Sequence, residues 1–391
     1  MLSVLSRARK SLGRAALALA ALGVAACEPV AMTGGGPAVD SSKPVPVALL
    51  VPAGSGQASD ELLARSLQNA ARLAAADLGN VQIDLRVYNT AGQPSQAASV
   101  ASQAVADGAK IILGPVFAQE ANAVGAAVAP SGVNVLSFSN NPDIAGGNVF
   151  VLGPTFQNTA NRLAGYAVRQ GNGRIMAVSD RTPAGQSGRA AIERGVAQSG
   201  GTLVASMDYE FSQNGIVSAA PGIVERAQVT NAQALFLTAD TAGALPLVTQ
   251  VLRENGLPQE TARFIGLTRW DIPSATLSLP GVQGGWFALP DPGVYGQYEQ
   301  RYRAAYGEAP HPISGLAYDG VAAVGALLKR GASDGLSGRA LTQGSGFVGV
   351  NGIFRLRSDG TNERGLAVAQ IRNNQVVVID PAPRSFGGAG F

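Results

Sequence analysis

The stretch Ala109-Lys110-Ile111-Ile112-Leu113-Gly114-Pro115 is a short, mostly apolar run that ends at a Gly-Pro pair. Residues 110–113 are predicted as a buried strand, because the run is only a few residues long and a turn follows it. Apolar residues at helical spacing precede this strand in 93–107 and follow it in 119–129. A strand between two helices predicts crossover units and a parallel sheet that is covered on both faces.

The same alternation extends along the chain. In the first half, strands are predicted at 45–51, 81–88 and 133–136, with a further helix at 59–78. After Phe150-Val151-Leu152 a second series follows, with strands at 174–178, 202–207, 234–238 and 264–267 and helices at 156–169, 188–198, 217–227 and 245–254. Beyond Trp286 come helices at 298–306 and 313–329 and strands at 352–356, 366–370 and 375–379. The pattern predicts an α/β fold with two doubly wound parallel-sheet lobes and a cleft between them.

The domain organisation follows from this order. We expect residues 45–155 with 291–335 to form the first lobe, and residues 156–290 with 336–380 to form the second. The stretch 27–44 contains Gly34-Gly35-Gly36-Pro37 and has no apolar period, which predicts a flexible tether. Residues 381–391 are predicted to be a frayed tail.

The first 26 residues have the layout of a secretory signal peptide, with four basic residues followed by an apolar run at 15–26. That run is too short to span a bilayer. Cys27, the only cysteine in 391 residues, directly follows Val24-Ala25-Ala26. This arrangement resembles the bacterial lipobox, which implies a mature chain that begins at a lipidated Cys27. Glu28 stands where an Asp often retains lipoproteins in the inner membrane, so we expect anchoring to the outer membrane, facing the periplasm. An unmodified cysteine in a plain signal peptide is the alternative.

Charge and composition exclude several classes of function. Without the four basic residues of the leader, 25 Lys and Arg stand against 26 Asp and Glu, so the mature chain is nearly neutral. No basic run follows, and we therefore expect no nucleic-acid binding. Hydrophobic residues make up 46% of the chain and charged residues 14%, a composition that is typical of folded domains.

Catalytic motifs are missing from the sequence. His311 is the sole histidine and lies between Pro310 and Pro312, which favours a loop or helix-start role. The sequence has no nucleophile elbow, phosphate loop or metal-binding cluster of Cys and His, so we expect a protein without enzymatic activity, cofactor or metal. Residues 344–349 match the dinucleotide fingerprint Gly-x-Gly-x-x-Gly, but a loop is predicted before them and a strand after them. Nucleotide binding needs the reverse order of strand and then helix, so it is excluded.

Polar residues follow the predicted strands of the first lobe at their carboxyl ends, the edge where open α/β folds bind ligands. Small polar side chains with few charges suit hydrogen bonding to a small polar ligand or to a loop of a partner protein. The same residue types are common in turns and helix caps, so a purely structural role stays open. The candidates are Ser55, Gln119, Glu120, Ser137, Ser139, Asn140 and Asn141.

A second group of candidates lies at the corresponding edge of the second lobe. The stretch Thr268-Arg269-Trp270-Asp271 follows the strand at 264–267, and Arg269 is the best candidate for contact with a ligand or partner. Alternatively, Arg269 stacks on Trp270 or pairs with Asp271 and holds a loop in place. Arg181 also lies near a predicted strand end and is a further candidate.

From residue 45 to about residue 379 the chain resembles type I periplasmic-binding proteins of the leucine/isoleucine/valine-binding group. The resemblance is carried by Ala109–Pro115, by Val133-Asn134-Val135-Leu136-Ser137 and by Gly315-Leu316-Ala317-Tyr318-Asp319-Gly320. It implies two lobes joined by three crossovers, and a small ligand that is delivered to an ABC importer. The chain departs from the amino-acid binders at three places. Ala118 replaces an expected Ser or Thr, Asn140 replaces an expected Thr, and Ala184-Gly185 replaces an expected pair of an aromatic residue and Gly. These departures argue against an amino-acid site of the usual kind.

Two other segments resemble the binding-protein-like domain of penicillin-binding-protein activators, the LpoA-type lipoproteins. They are Thr268–Asp271 and the run 349–360 that leads to 364–368. This resemblance implies an outer-membrane lipoprotein that stimulates a peptidoglycan synthase. The leading hypothesis is therefore a non-enzymatic envelope lipoprotein that binds and activates a penicillin-binding protein. The alternative is a lipid-anchored solute-binding protein that delivers an amino acid or small polar ligand to an ABC importer, and a hydrolase in the cleft is a third hypothesis.

Overall fold

The computed structural model describes residues 36–387. The predicted signal peptide, the lipid attachment site Cys27 and the first part of the tether lie outside the described residues, as do the last four residues of the tail. Within 36–387, none of the helices has both the length and the apolar character needed to cross a bilayer.

The first sheet has five strands, all parallel, in the spatial order β2-β1-β3-β4-β5. The strands are β1 (Val45–Val51), β2 (Ile83–Asn89), β3 (Ile111–Leu113), β4 (Asn134–Ser137) and β5 (Val149–Val151). The helices that connect them are α1 (Ala58–Ala76), α2 (Pro94–Ala106) and α3 (Ala118–Val128). This is the predicted crossover pattern around the stretch Ala109–Pro115.

The second sheet has seven strands in the order β15-β14-β10-β9-β8-β6-β7. They are β6 (Arg174–Asp180), β7 (Thr202–Tyr209), β8 (Ala234–Leu237), β9 (Arg263–Gly266), β10 (Trp286–Leu289), β14 (Ala367–Arg372) and β15 (Gln375–Asp380). Its helices are α4 (Phe156–Arg169), α5 (Pro183–Gln198), α6 (Gln213–Val229) and α7 (Leu245–Glu254). Strands β6 to β10 are parallel, whereas β14 runs antiparallel to β10 and forms a hairpin with β15. Asn373 and Asn374 make that tight turn with φ of 51° and 62°, a conformation that asparagine tolerates well.

Three short strands form a separate antiparallel sheet in the order β11-β12-β13. They are β11 (Phe347–Gly349), β12 (Gly352–Leu356) and β13 (Asn362–Arg364), and the nearby helices are α8 (Pro292–Tyr306), α9 (Gly315–Leu328) and α10 (Gly338–Leu341). The dinucleotide-like run 344–349 thus enters a β-hairpin, and no helix follows it.

Both large sheets are covered on two faces, as the apolar strands predict. In β6, Ile175 and Ala177 belong to one buried cluster while Met176 and Val178 belong to another, because successive strand residues point to opposite faces. The first lobe has the same alternation, with Val47 and Leu49 on one face of β1 and Ala48 and Leu50 on the other.

The chain passes three times between the two sheets, after β5, after β10 and before β14. The predicted lobe boundaries stay a prediction, but one segment packs differently from that prediction. Leu341, Phe347 and Phe354 belong to the buried cluster of the first lobe, together with residues of β1 and α9. This packing favours assigning 336–356 to the first lobe, although the sequence order suggested the second.

Candidate functional site

A cavity of about 270 Å³ lies between the two sheets, and we call it the central cavity. Its walls come from both lobes and from the crossovers: Asn140, Ile313 and Leu316 on the first side, Thr159, Thr268 and Arg269 on the second, and Pro154 and Leu366 between them. A space lined from both lobes is the position expected for the predicted cleft.

A second cavity of about 530 Å³, the outer cavity, opens beside it at the carboxyl edge of the first sheet. The two cavities share Asn140, Pro154, Ile313 and Leu316, so they form one continuous cleft. The outer cavity is lined by Gly92 and by the loops 116–120 and 138–141. These segments follow β3 and β4 at the carboxyl edge of the sheet, beside the switch point between β1 and β3.

The start of α3 supplies free hydrogen-bond donors to the outer cavity. Phe117 is the N-cap residue and makes no side-chain cap, and Ala118 and Gln119 in the first turn line the cavity. The first N–H groups of a helix have no partner within the helix and favour hydrogen-bond acceptors. Phe117 itself is partly exposed at this edge.

Glu120, in the same helical turn, is 1% exposed, and neither of its carboxylate oxygens completes a hydrogen bond. Burial raises the pKa of Glu120, and the nearby Asp60 raises it further, whereas the Thr90 hydroxyl and the Phe117 amide lower it. The Thr90 hydroxyl donates to the Val51 carbonyl, so its effect on Glu120 comes from proximity and not from a completed hydrogen bond. A buried carboxyl group without a partner is rare in native proteins, and it marks this turn as unusual.

On the second-lobe side, Thr268 and Arg269 line the central cavity. The guanidinium of Arg269 donates to both oxygens of Asp271, at 2.9 Å from Nε and 2.5 Å from Nη2. Trp270 is 0% exposed, and its ring packs so closely on Gly266 that a methyl group there would overlap the indole. The loop therefore has the structural arrangement that the sequence left open, with Arg269 paired to Asp271 and Trp270 in the core. The hydroxyl of Thr268 is buried and has no hydrogen-bond partner.

Six of the predicted site residues line the cleft: Gln119, Glu120, Ser139, Asn140, Asn141 and Arg269. The others do not. The Ser55 hydroxyl accepts from the amide of Gln57 in a turn, and Ser137 bonds to the carbonyl of Pro115.

Arg181 pairs with Asp208 and Glu210 at the outer strands of the second sheet, where its side chain is about half exposed. It does not line either cavity of the cleft. Any binding role of these residues stays a prediction.

Some cleft residues were not among the sequence candidates. Thr159 lies within a helix, and Ile313 and Leu316 lie at the apolar start of another. Nothing in the local sequence distinguishes these three residues from core residues. Among residues 36–387, no group of three or more His, Cys, Asp or Glu side chains could hold a metal ion.

A family model described as "Periplasmic binding protein" matches residues 44–375. This chain belongs to the periplasmic binding protein family. Membership implies a periplasmic location, and the type I binding-protein fold expected from the leucine-binding resemblance is confirmed. Among curated proteins, none matches this sequence.

Solved structures of similar fold confirm the architecture of this periplasmic binding protein. A branched-chain amino acid ABC transporter periplasmic ligand-binding protein from Burkholderia xenovorans has a TM-score of 0.69 at 19% identity, over 88% of this chain and 97% of that chain. A substrate-binding protein from Desulfitobacterium hafniense in complex with Leu has a TM-score of 0.64 at 17% identity, over 86% and 100%. A solute-binding protein from Rhodopseudomonas palustris in complex with 3,4-dihydroxybenzoic acid has a TM-score of 0.59 at 18% identity, over 86% and 96%. Closeness to the penicillin-binding-protein activators is not among these findings.

Proposed function

We propose that this chain binds a small solute in its cleft and delivers it to an ABC importer. The observation that carries the proposal is a continuous cleft with polar groups that lack partners on both walls, the Glu120 carboxyl group on one side and the Thr268 hydroxyl on the other. Buried polar atoms are normally satisfied, so unsatisfied atoms on facing walls favour a ligand that completes their hydrogen bonds.

The mechanism requires only binding and closure. A solute that enters the cleft contacts the first turn of α3 on one lobe and the 268–269 loop on the other. Because such a solute interacts with both lobes only when they are close together, it shifts the population towards the closed form. The importer then distinguishes closed from open by the relative position of the lobes.

The range of possible solutes is wide. The structure from Desulfitobacterium hafniense contains Leu, and that from Rhodopseudomonas palustris contains an aromatic acid. In this chain Ala118 stands at the start of α3, where amino-acid binders usually have a hydroxyl side chain, so recognition there relies on backbone amides.

The hypothesis of a penicillin-binding-protein activator gains no support from the comparisons, and the contacts of its two segments also disfavour it. Trp270 is excluded from solvent, and Arg269 is held by Asp271. In the second segment, Arg364 is buried in a pair with Asp319. A protein partner cannot contact Trp270 or Arg364 in the folded loops, and the Arg269 guanidinium is already paired, so the resemblance there is explained by the shared scaffold.

The anchor and its membrane remain part of the proposal. Lipidation of Cys27 predicts that the chain incorporates a fatty-acid probe in cells and that Cys27→Ser does not. Fractionation of the membranes then tests outer-membrane sorting. A soluble wild-type chain without the probe would contradict the anchor and leave the solute-binding proposal untouched.

The solute-binding function is tested by a thermal-shift screen of the chain from residue 28 onward against amino acids, amines and small organic acids. A ligand at about 100 times its Kd adds about 2.7 kcal/mol, a shift of several degrees for domains of this size. Thr159→Trp should fill the central cavity and abolish the shift. Thr202→Trp, at the exposed start of β7, is the matched control and should retain it. A flat screen combined with binding to a purified peptidoglycan synthase would reverse the ranking of the two hypotheses.

A further inference from the structure

We propose that the outer cavity recognises the positively charged nitrogen of an organic amine, with Glu120 as its counter-ion. This inference rests on the proposed solute-binding function and names the class of solute. It assigns to Glu120 a direct contact with the ligand, and to the neighbouring loops the apolar part of the site.

The first observation is the position of the Glu120 side chain. It is 1% exposed, it lines the outer cavity, and both carboxylate oxygens lack a hydrogen-bond partner. Placing a carboxylate in such surroundings is costly unless a charged or hydrogen-bonding partner compensates it. The Thr90 hydroxyl lies nearby but donates to the Val51 carbonyl, and no cation among the described residues pairs with the two oxygens. A ligand in the adjoining cavity would supply the missing partner.

The second observation is the balance of charge around the cleft. Both arginines that line the cleft already form a salt bridge, Arg269 with Asp271 and Arg364 with Asp319. Glu120 forms no salt bridge with any residue in 36–387.

Asp60, next to the same cavity, also lacks a salt bridge within the described part of the chain. A methyl group placed on the cavity residue Gly92 would lie 3.8 Å from the Oδ2 atom of Asp60. The uncompensated side-chain charge at the outer end of the cleft is therefore negative, which attracts a cation and opposes the attraction of a carboxylate to the N–H groups at the start of α3.

The third observation concerns the walls. Phe117 and Phe138 line the outer cavity, together with Val116, Ile313 and Leu316. Such walls suit the apolar body of an amine, and aromatic faces also attract cations. A bare metal ion fits less well, because no third acidic, Cys or His side chain joins Glu120 and Asp60 in the described structure.

The protonation state of Glu120 should change when an amine binds. Burial raises the pKa of Glu120, and a bound cation would lower it again by favouring the ionised form. Amine binding is thus expected to release a proton and to weaken as the pH falls through the raised pKa of Glu120.

The test uses three compounds that share the branched alkyl group of leucine: 3-methylbutylamine, leucine and 4-methylpentanoate. A second set consists of 2-phenylethylamine, phenylalanine and 3-phenylpropionate. Affinities are measured by isothermal titration calorimetry at pH 8 and pH 5 on the chain from residue 28 onward. At least one amine should bind tenfold or more tightly than its acid, with weaker binding at pH 5.

Glu120→Gln should reduce amine affinity tenfold or more and leave or improve the binding of the acid, while Glu120→Asp should retain part of the preference. Glu225→Gln, on the exposed face of α6, is the matched control and should change nothing. Circular dichroism confirms that each variant is folded.

The outcomes separate the two proposals. Tighter binding of an acid or amino acid than of its amine, or amine binding that Glu120→Gln does not weaken, overturns the amine proposal and leaves solute binding intact. Saturable binding of Mg²⁺ or Ca²⁺ that competes with the amines would replace the organic cation by a metal. The absence of binding by all six compounds counts against both proposals.

Discussion

Arg364 donates a hydrogen bond to the carboxylate of Asp319 over 3.1 Å, and both side chains are buried. The other Asp319 oxygen accepts from the amide of Val350 at 2.8 Å, and Arg364 Nε donates to the carbonyl of Leu152 at 2.9 Å. One ion pair thus joins α9, the β11–β12 turn, β13 and the end of β5, at the place where the chain crosses between lobes.

Replacing Asp319 by Asn should destabilise the protein by about 3–5 kcal/mol, because the buried Arg364 cation loses its counter-charge. Urea unfolding measures the loss. Glu299→Gln breaks the exposed pair with Arg303 and should cost less than about 1 kcal/mol. The double variant Asp319→Asn with Arg364→Met should recover part of the stability, since the uncompensated cation is gone. Equal losses for Asp319→Asn and Glu299→Gln would contradict this account.

Replacing Gly114 by Ala should cost at least about 3 kcal/mol, because two effects combine. Gly114 has a φ of +85°, and a methyl group there would overlap the carbonyl oxygen of Leu50 in β1. Gly108→Ala is the control, since Gly108 has a φ of +96° and no atom within 4 Å of an added methyl group. It should lose only about 1–2 kcal/mol from backbone strain. Similar melting temperatures for the two variants would show that the overlap is relieved.

Glu120→Gln should stabilise the ligand-free protein at neutral pH. Burial raises the pKa of Glu120 above its ordinary value of 4.5, so the folded state holds the proton more tightly than the unfolded state. Below pH 4.5 both states are protonated and the variant should gain little. As the pH rises through the folded pKa, the wild type loses stability that the neutral Gln does not lose. Thermal unfolding from pH 4 to pH 8 tests this, and a gain that is largest at acid pH would contradict it.

Asp380→Asn should loosen the C-terminal strand. Arg162 in α4 is 5% exposed and donates to Asp380 at 2.9 Å and to the Leu366 carbonyl at 2.6 Å, so the variant leaves a buried cation near β15. We expect faster amide exchange in β15 than in β10, with a loss of about 2–3 kcal/mol. Asp84→Asn, which breaks a half-exposed pair with Arg86, is the control and should cost less than about 1 kcal/mol.

The sequence predicts the large elements well because apolar periodicity reports burial directly. Helix 156–169 and strands 45–51 and 352–356 have the predicted bounds. Strands β11 and β13 were not predicted, since three residues contain too little of a period to be recognised. Helix α5 begins five residues before its prediction, at Pro183, because the Thr182 side chain caps it and Pro suits the first turn.

The site was harder to predict for a physical reason. Whether Arg269 faces a ligand or an internal carboxylate depends on the fold of its loop. The same local sequence is compatible with both arrangements. Glu120 is among the sequence candidates, but its burial is not predicted, since a Glu in a first helical turn is usually exposed. The absence of a completed hydrogen bond to its oxygens depends on how Thr90 and Asp60 pack around it, which the local sequence does not reveal.

Gly349 completes the run that imitates a dinucleotide fingerprint, and a methyl group on it would overlap the Asp319 carboxylate. The amides of Val350 and Asn351 donate to that same carboxylate. In nucleotide-binding proteins, glycine lets the backbone approach a phosphate. Here Gly349 lets the backbone approach an anion that the chain itself supplies, the Asp319 carboxylate. The spacing of the glycines thus indicates a backbone that binds negative charge, but it does not identify the anion.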